Sequence, residues 1–359
     1  MKQVIIGMSG GVDSSVAAFL LKEQGWDVTG VFMKNWEDEH SDTYRHEHTS
    51  GCIWEKDFED VRRVCDQLEI PYQTFNFTRE YRELVFSLFL KELEQGRTPN
   101  PDIACNQEIK FNLFAKKALA LEGIDAIATG HYARINEGAL CRPKDDNKDQ
   151  TYFLYRVPPD ILNSVIFPLE DLTKDEVRTI AKKQNFPNAD KKDSTGICFI
   201  GDIDYNAFIK EYIPENPGLI VSTGGKTLGE HKGLHFFTIG QRRGIDIGGT
   251  GPYYVVEKRI DTDELVVTND KDDARLYQRS CIVEDLHHLT NEPFPEQCQV
   301  QVRYRQKAVD SVVTQIDEKK IEITFDQPVR AITPGQSAVL YDNDCVIGGG
   351  VISQVDKTE

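Results

Sequence analysis

Val4-Ile5-Ile6-Gly7-Met8-Ser9-Gly10-Gly11-Val12-Asp13-Ser14-Ser15 lies close to the start of a 359-residue chain, and the fold follows from how it is read. Val4 to Ile6 is a short apolar run, the mark of a buried strand. It breaks at Ser9-Gly10-Gly11, and Val12, Val16, Phe19 and Leu20 then recur at the spacing of one helix face. Gly25 stands where a helix C-terminal glycine belongs. Strand, glycine turn and helix N-terminus together make an anion site: backbone N–H groups point outward, the helix dipole favours negative charge, and two glycines let a ligand approach closely. Ser9, Ser14 and Ser15 offer hydroxyls for phosphate oxygens, and Asp13 offers a carboxylate for Mg2+. The turn is not a P-loop, because no Lys-Ser or Lys-Thr pair closes it, and GxGxxG is absent.

Ser-Gly-Gly-Val-Asp-Ser resembles the pyrophosphate loop of the N-type ATP pyrophosphatases. The resemblance implies cleavage of ATP between its α and β phosphates and activation of an oxygen by adenylylation.

The rest of the chain fits such a domain and then departs from it. Val28 to Met33 reads as a second strand, and Phe58, Val61, Val64 and Leu68 as an amphipathic helix. Tyr72 to Phe77 reads as a third strand, Arg79 to Gln95 as a helix ended by Gly96, and Ile124 to Thr129 as a strand ending at Gly130-His131. Two prolines predict an extended, irregular stretch from Arg97 to Asn106, with a helical pattern resuming at Phe111. Thr173-Lys174-Asp175-Glu176 is a capping box. Alternating strands and helices predict an α/β fold, a Rossmann-like doubly wound parallel sheet, over residues 1–204. Residues 205–276 are glycine-dense with short strands, a small central domain. Alternation in Gln299–Tyr304, Ile321–Phe325 and Ser337–Tyr341 predicts a C-terminal β-barrel over residues 277–359.

Apolar residues make up 39% and charged residues 28% of the chain, the proportions of a globular protein in water. No apolar run approaches the length of a membrane span, and Met1-Lys2-Gln3 leads straight into the first strand. A cytoplasmic location, no membrane partner and mostly reduced cysteines are therefore expected. None of the eight cysteines forms a CxxC pair, which argues against zinc ribbons and iron–sulfur ligands. His40, His46, His48 and Cys52 lie in a polar insertion (35–52) at spacings that fit no metal site, so no protein-held metal cluster is expected. Lys and Arg number 42 against 59 Asp and Glu, a net charge of −17. A nucleic-acid partner therefore needs a local basic face, and the segment 224–243, with Lys226, Lys232, Arg242 and Arg243, is the candidate.

Cys65 falls on a helix stripe and reads as structural, as do Cys141, Cys281, Cys298 and Cys345. Cys105 and Cys198 lie instead in loop-like stretches, though composition alone favours the structural reading for them too. Asn100-Pro101-Asp102-x-x-Cys105-Asn106 and Asp193-Ser194-x-Gly196-x-Cys198-Phe199, downstream of the glycine turn, resemble the bacterial tRNA-specific 2-thiouridylases. Thr129-Gly130-His131-Tyr132, Lys148-Asp149-Gln150, Gly240-Gln241-Arg242-Arg243-Gly244 and Thr333-Pro334-Gly335-Gln336 extend the resemblance over nearly the whole chain. It implies ATP held by Gly7, Met8, Ser9, Gly10, Gly11, Val12, Asp13 and Ser14, with Met33 and Gly130 gripping the nucleotide. The target would be the wobble uridine of tRNA for Lys, Glu or Gln, unstacked from the anticodon stem-loop. Asn100, Pro101 and Asp102 would meet the base, Asp102 as general acid/base. Cys198 would take sulfur from a persulfide donor protein (a cysteine desulfurase or a relay carrier), and Cys105 would be its partner nucleophile, either freeing that sulfur or attacking to close a Cys105–Cys198 disulfide. His131, Lys148, Asp149, Gln150, Arg303, Tyr304 and Gln336 would touch tRNA. Two other readings remain: a pyrophosphate-loop ligase or amidotransferase that uses nitrogen, and an inactive tRNA-binding protein.

Overall fold

The computed structural model describes residues 1–37, 53–192, 204–245, 247–248 and 251–355. Strands β1 (Gln3–Met8), β2 (Asp27–Lys34), β3 (Tyr72–Asn76), β4 (Ile124–Thr129) and β7 (Val165–Ile166) form a parallel sheet in the order β3-β2-β1-β4-β7. Side chains alternate across it. Ile5, Val31 and Ile127 face two long helices, α3 (78–94) and α4 (101–119). Val4, Ile6, Met8, Phe32 and Ala128 face α1 (Val12–Glu23), α2 (Ile53–Leu68) and α5 (Lys174–Lys183). Both faces are covered, which is why these strands read as apolar runs and not as alternation. The doubly wound sheet is thus as the sequence predicts, and each fully buried Val, Leu or Ile contributes about 1.5–3 kcal/mol to holding it.

One stretch differs from its sequence-based expectation. Residues 101–106 are helical and not extended: Asn100 accepts a hydrogen bond from the Asp102 N–H at 3.1 Å and caps α4, with Pro101 in its first turn. Proline has no N–H to lose there and its φ suits a helix start, so the residue read as a breaker is an initiator. Asp102 and Cys105 therefore sit on the first turns of a helix, and Cys105 is buried on its inner face.

Helix α6 (Tyr205–Lys210) leads to a four-stranded sheet, β10-β11-β8-β9, of β8 (Gly218–Ser222), β9 (Thr227–His231), β10 (Tyr254–Arg259) and β11 (Glu264–Thr268). Six antiparallel strands follow: β12 (Tyr277–His288), β13 (Gln297–Gln301), β14 (Val309–Asp317), β15 (Lys320–Arg330), β16 (Ser337–Asp342) and β17 (Cys345–Val355). Pairing of β12 with β17 closes them into a barrel. The hairpin β5 (Arg134–Asn136) and β6 (Ala139–Cys141) leaves the parallel sheet and joins the barrel through β17. There Cys141 faces Cys345 and the two are disulfide-bonded. This corrects the expectation that both are unpaired structural thiols: they lie opposite each other on neighbouring strands, a proximity that a separation of 204 residues conceals.

Candidate active site

Helix α1 begins directly after the turn that ends β1, at the point where the strand order reverses between β1 and β4. Gly10 has φ +76°, and a Cβ there would stand 2.5 Å from the Asp57 carbonyl oxygen, so no other residue fits without moving backbone. Its carbonyl accepts from Asn188 Nδ2 at 3.0 Å and Lys191 Nζ at 3.1 Å. Lys191 is also bound to Asp57 and Asp60 at 2.7 Å; burial opposes its charge, but the two carboxylates win and raise its pKa. Gly11 caps α1 without any side-chain bond, which leaves the N–H groups of the first turn for an anion.

The expected ATP residues gather at this edge. Met33 Cε packs over Gly7, and Gly130 lies against the Asp13–Ser14 backbone, where a Cβ would be 2.7 Å from the Ser14 nitrogen. The Ser9 and Ser14 hydroxyls are 3.3 Å apart, and Ser14 Oγ donates to the Gly11 carbonyl. Ser15 departs from expectation. Fully buried, its hydroxyl donates to Gly11 and accepts from Asn188, so it braces the turn and does not meet a ligand.

Asp13 is also engaged. Lys174 Nζ lies 2.7 and 2.8 Å from its two carboxylate oxygens, and the Tyr132 hydroxyl donates to it at 3.0 Å. Lys174 is the first residue of α5, presented by the capping box that Thr173 and Glu176 form. The sequence assigns no site role to Asn188, Lys191, Lys174 or Tyr132; the capping box marks a helix start but gives no sign that its lysine crosses to a turn 161 residues earlier.

Helix α4 enters β4, so it runs against the strands and its N-terminus lies at the carboxyl edge, beside the turn. Phe114 touches Gly7 from that helix. Nine residues nearer the N-terminus, Cys105 stands roughly 10–14 Å further along the axis. From Cys105 to Phe114 the helix adopts the wider π form, which is frequent at functional sites. Asn106, buried behind Cys105, donates to the Phe153 carbonyl at 3.1 Å. Cys198 lies outside the described residues, but both ends of the segment 193–203 are placed. Lys191 is bonded to the turn, and Tyr205 lines a cavity with Thr98 and Pro99, just before Asn100.

The other expected contacts divide. Tyr304 lies 4.4 Å from the Phe153 ring, and Arg303 reaches within 3.8 Å of a Cβ built on Gly240, so barrel and central domain meet near α4. Gln336 donates to the Thr98 carbonyl at 2.8 Å, and Thr98 N–H donates to Pro334. That turn of the barrel therefore docks the irregular segment entering α4. Gln150 accepts from the Tyr132 N–H and Lys148 is half-buried beside it. Asp149 is buried: its carboxylate takes the Arg142 guanidinium and the Thr151 N–H and hydroxyl. His131 is enclosed between Phe111 and Phe167, with Nδ1 2.8 Å from the Thr129 hydroxyl. In the segment 224–243, Lys226, Lys232, Arg242 and Arg243 are exposed, whereas His231 is buried.

Burial, reinforced at His131 by Lys110, pulls the pKa of His131 well below 6.5, and burial also lowers His231, His235 and His287. The unfolded chain then takes up protons first, so stability is full above about pH 6.5 and is lost as pH falls beneath it. Thermal melts at pH 7.5 and 5.5 should show a lower Tm in acid, and His131→Asn should flatten that slope. Burial likewise pushes the Cys65 and Cys298 thiols up to about 12. Neither should react with iodoacetamide in the native protein at pH 8, a point that peptide mass mapping decides.

No group of three or more His, Cys, Asp or Glu among the described residues could hold a metal ion, and no helix among them is long and apolar enough to cross a membrane. Three family models match the chain: "tRNA methyl transferase HUP domain" over residues 2–202, "tRNA methyl transferase PRC-barrel domain" over 206–269 and "Aminomethyltransferase beta-barrel domain" over 278–352. The chain is 48% identical over 367 residues to the tRNA-specific 2-thiouridylase MnmA 1 of Geobacillus kaustophilus, covering 100% of this chain and 97% of that one. It is 48% identical to the tRNA-specific 2-thiouridylase MnmA of Proteus mirabilis, with 98% and 97% covered. With its namesake in Staphylococcus carnosus it shares 47%, over 99% and 96% of the two chains.

Proposed function

The chain belongs to the tRNA-specific 2-thiouridylase family, and from that membership we propose how its residues carry out ATP-dependent 2-thiolation of the wobble uridine. The observation that carries the reading is the shared edge of one sheet: the glycine turn, Gly130, the root of the Cys198 segment and the N-terminus of α4 all lie there. ATP lies with its phosphates on the turn and the first N–H groups of α1, and with Met33 and Gly130 beside the nucleoside. The uridine, unstacked from the anticodon loop, meets Asn100, Pro101 and Asp102. Its 2-carbonyl oxygen attacks the α-phosphorus, pyrophosphate leaves toward the turn, and the poor leaving group at C2 becomes AMP.

Sulfur arrives on Cys198 as a persulfide from a donor protein. From Lys191 to Cys198 the chain reaches at most about 25 Å, enough to span the edge from turn to α4. Attack of the persulfide's terminal sulfur on C2 expels AMP and leaves the uridine tethered to Cys198 through an S–S bond. Cys105 then attacks Cys198 Sγ, that bond breaks with thiouridine as the leaving group, and an external thiol reduces the resulting Cys105–Cys198 disulfide. The domain descriptions speak of methyl transfer, but a glycine turn built for ATP phosphates and a buried cysteine at α4 suit adenylylation and thiol chemistry. Arg303, Tyr304, Lys148, Gln150 and the exposed cations of 224–243 face the RNA. Asp149, His131 and Gln336 act behind that surface by holding its elements in place.

The donor set does not fit a resident magnesium ion, since Lys174 already occupies both oxygens of Asp13. Charge compensation at the phosphates is therefore assigned to Lys174, and no step is routed through magnesium. The reading predicts that protein, ATP, a sulfide source and unmodified tRNA for Lys, Glu or Gln yield AMP and an RNA retarded in a mercury-containing gel. AMP without retarded RNA would favour a nitrogen-using ligase, and RNA binding without AMP would favour an inactive binding protein.

A further inference from the structure

A cavity of about 400 Å³ opens between three parts of the chain: the end of α3, the start of α6 and the central-domain turn that contains His235 to Gly244. Its floor is Thr98-Pro99, immediately before Asn100, so it adjoins the place assigned to the target uridine. Phe89, Tyr205 and Phe236 give it flat aromatic walls. Arg243 stands exposed at the rim, and no acidic partner for it is found among the described residues.

Thr98 Oγ1 in the floor is buried without a hydrogen-bond partner, and so is Nε2 of one wall residue, His235. The ring is held in place: it packs at 4.0 Å on Phe236 and covers Gly233, where a Cβ would stand 2.5 Å from its Cε1. Burial first, then the neighbouring Lys258 and His231, lower its pKa, so at neutral pH it is an uncharged ring with one hydrogen-bonding site to fill. Gln241 is not available for that purpose, because its amide braces the turn by accepting from Thr238 N–H and donating to the Arg243 carbonyl.

Aromatic walls, one unfilled hydrogen-bonding position on a rigid ring and a free cation at the mouth are the features by which proteins take up unstacked bases of single-stranded RNA. We propose that this cavity receives a nucleobase adjacent to the target uridine in the same RNA loop, stacked among Phe89, Tyr205 and Phe236 and read on its edge by His235 Nε2. The proposal rests on the thiouridylase reading and extends it: recognition would reach past the modified base. An unmet nitrogen in a desolvated site discriminates strongly, since a base that cannot pair with it leaves it unsatisfied.

The test uses the full chain and an anticodon stem-loop RNA of a tRNA for Lys, with two derivatives that carry an abasic residue on one or the other side of the target uridine. Affinity is read by fluorescence anisotropy and thiolation by the mercury gel. His235→Ala should raise Kd and KM for the intact RNA about tenfold with kcat little changed, and Tyr205→Leu, on a different element, should do likewise. One abasic RNA should lose the same factor with the unaltered protein and lose little more with either variant, because the contact is already gone. Multiplicative losses with both abasic RNAs, or an unchanged Kd in both variants, would overturn the proposal. Thiolation failing while the abasic coupling persists would sink the thiouridylase reading and leave the cavity assignment standing.

Discussion

Cys105→Ser should lower thiouridine formation by at least about 10³-fold while the first turnover of AMP release and the RNA affinity stay close to those of the unaltered protein. The substitution removes one polarisable sulfur and leaves a side chain of nearly the same shape. The site is buried on the inner face of α4, so the hydroxyl opens no cavity of consequence and the helix, capped five residues earlier by Asn100, should persist. What disappears is a thiol, and a serine hydroxyl in its place cannot resolve a persulfide. The mercury gel reads the sulfur and nucleotide chromatography reads the AMP. Undiminished thiolation would remove Cys105 from the mechanism and reopen the nitrogen-ligase reading.

The second large effect concerns the pair at the turn. Asp13→Asn and Lys174→Gln should each slow AMP formation about 10²- to 10³-fold, the range seen when one fixed group stabilising transition-state charge is lost. The double variant should be far less impaired than the product of the two, since each removes the other's partner. The pair is only partly buried, at 31% and 10% side-chain exposure, so its rupture should cost about 1–3 kcal/mol of stability and leave a folded protein that still binds RNA. AMP formation at the ordinary rate in either variant would show that this ion pair is architecture alone.

Much of the site was legible in sequence because it is local. Ser9-Gly10-Gly11 needs two glycines wherever a strand turns into a helix over an anion, and Thr173 to Glu176 is a cap that any helix shows. Two classes of information were hidden. Pro101 was read as keeping the chain extended, yet an asparagine before it makes the same proline a helix start; the competing preferences differ only in what the Asn100 side chain does. Contacts that join distant stretches were also invisible: Lys174 with Asp13, Asn188 with Gly10, and Cys141 with Cys345. Nothing in spacing distinguishes Asp149, turned inward onto Arg142, from its neighbours Lys148 and Gln150.

The hairpin β5–β6 begins four residues after Gly130 and ends hydrogen-bonded into the barrel wall. The barrel wall and the end of β4 at the glycine turn are thus joined by one short length of chain. If the barrel carries RNA and Gly130 borders ATP as proposed, a displacement of the barrel by its cargo would be felt at the nucleotide, and by thermodynamic reciprocity nucleotide occupancy would be felt by the cargo. Severing the barrel would therefore not yield an unguided ATP-splitting module; it would strip a partner strand from the catalytic half itself.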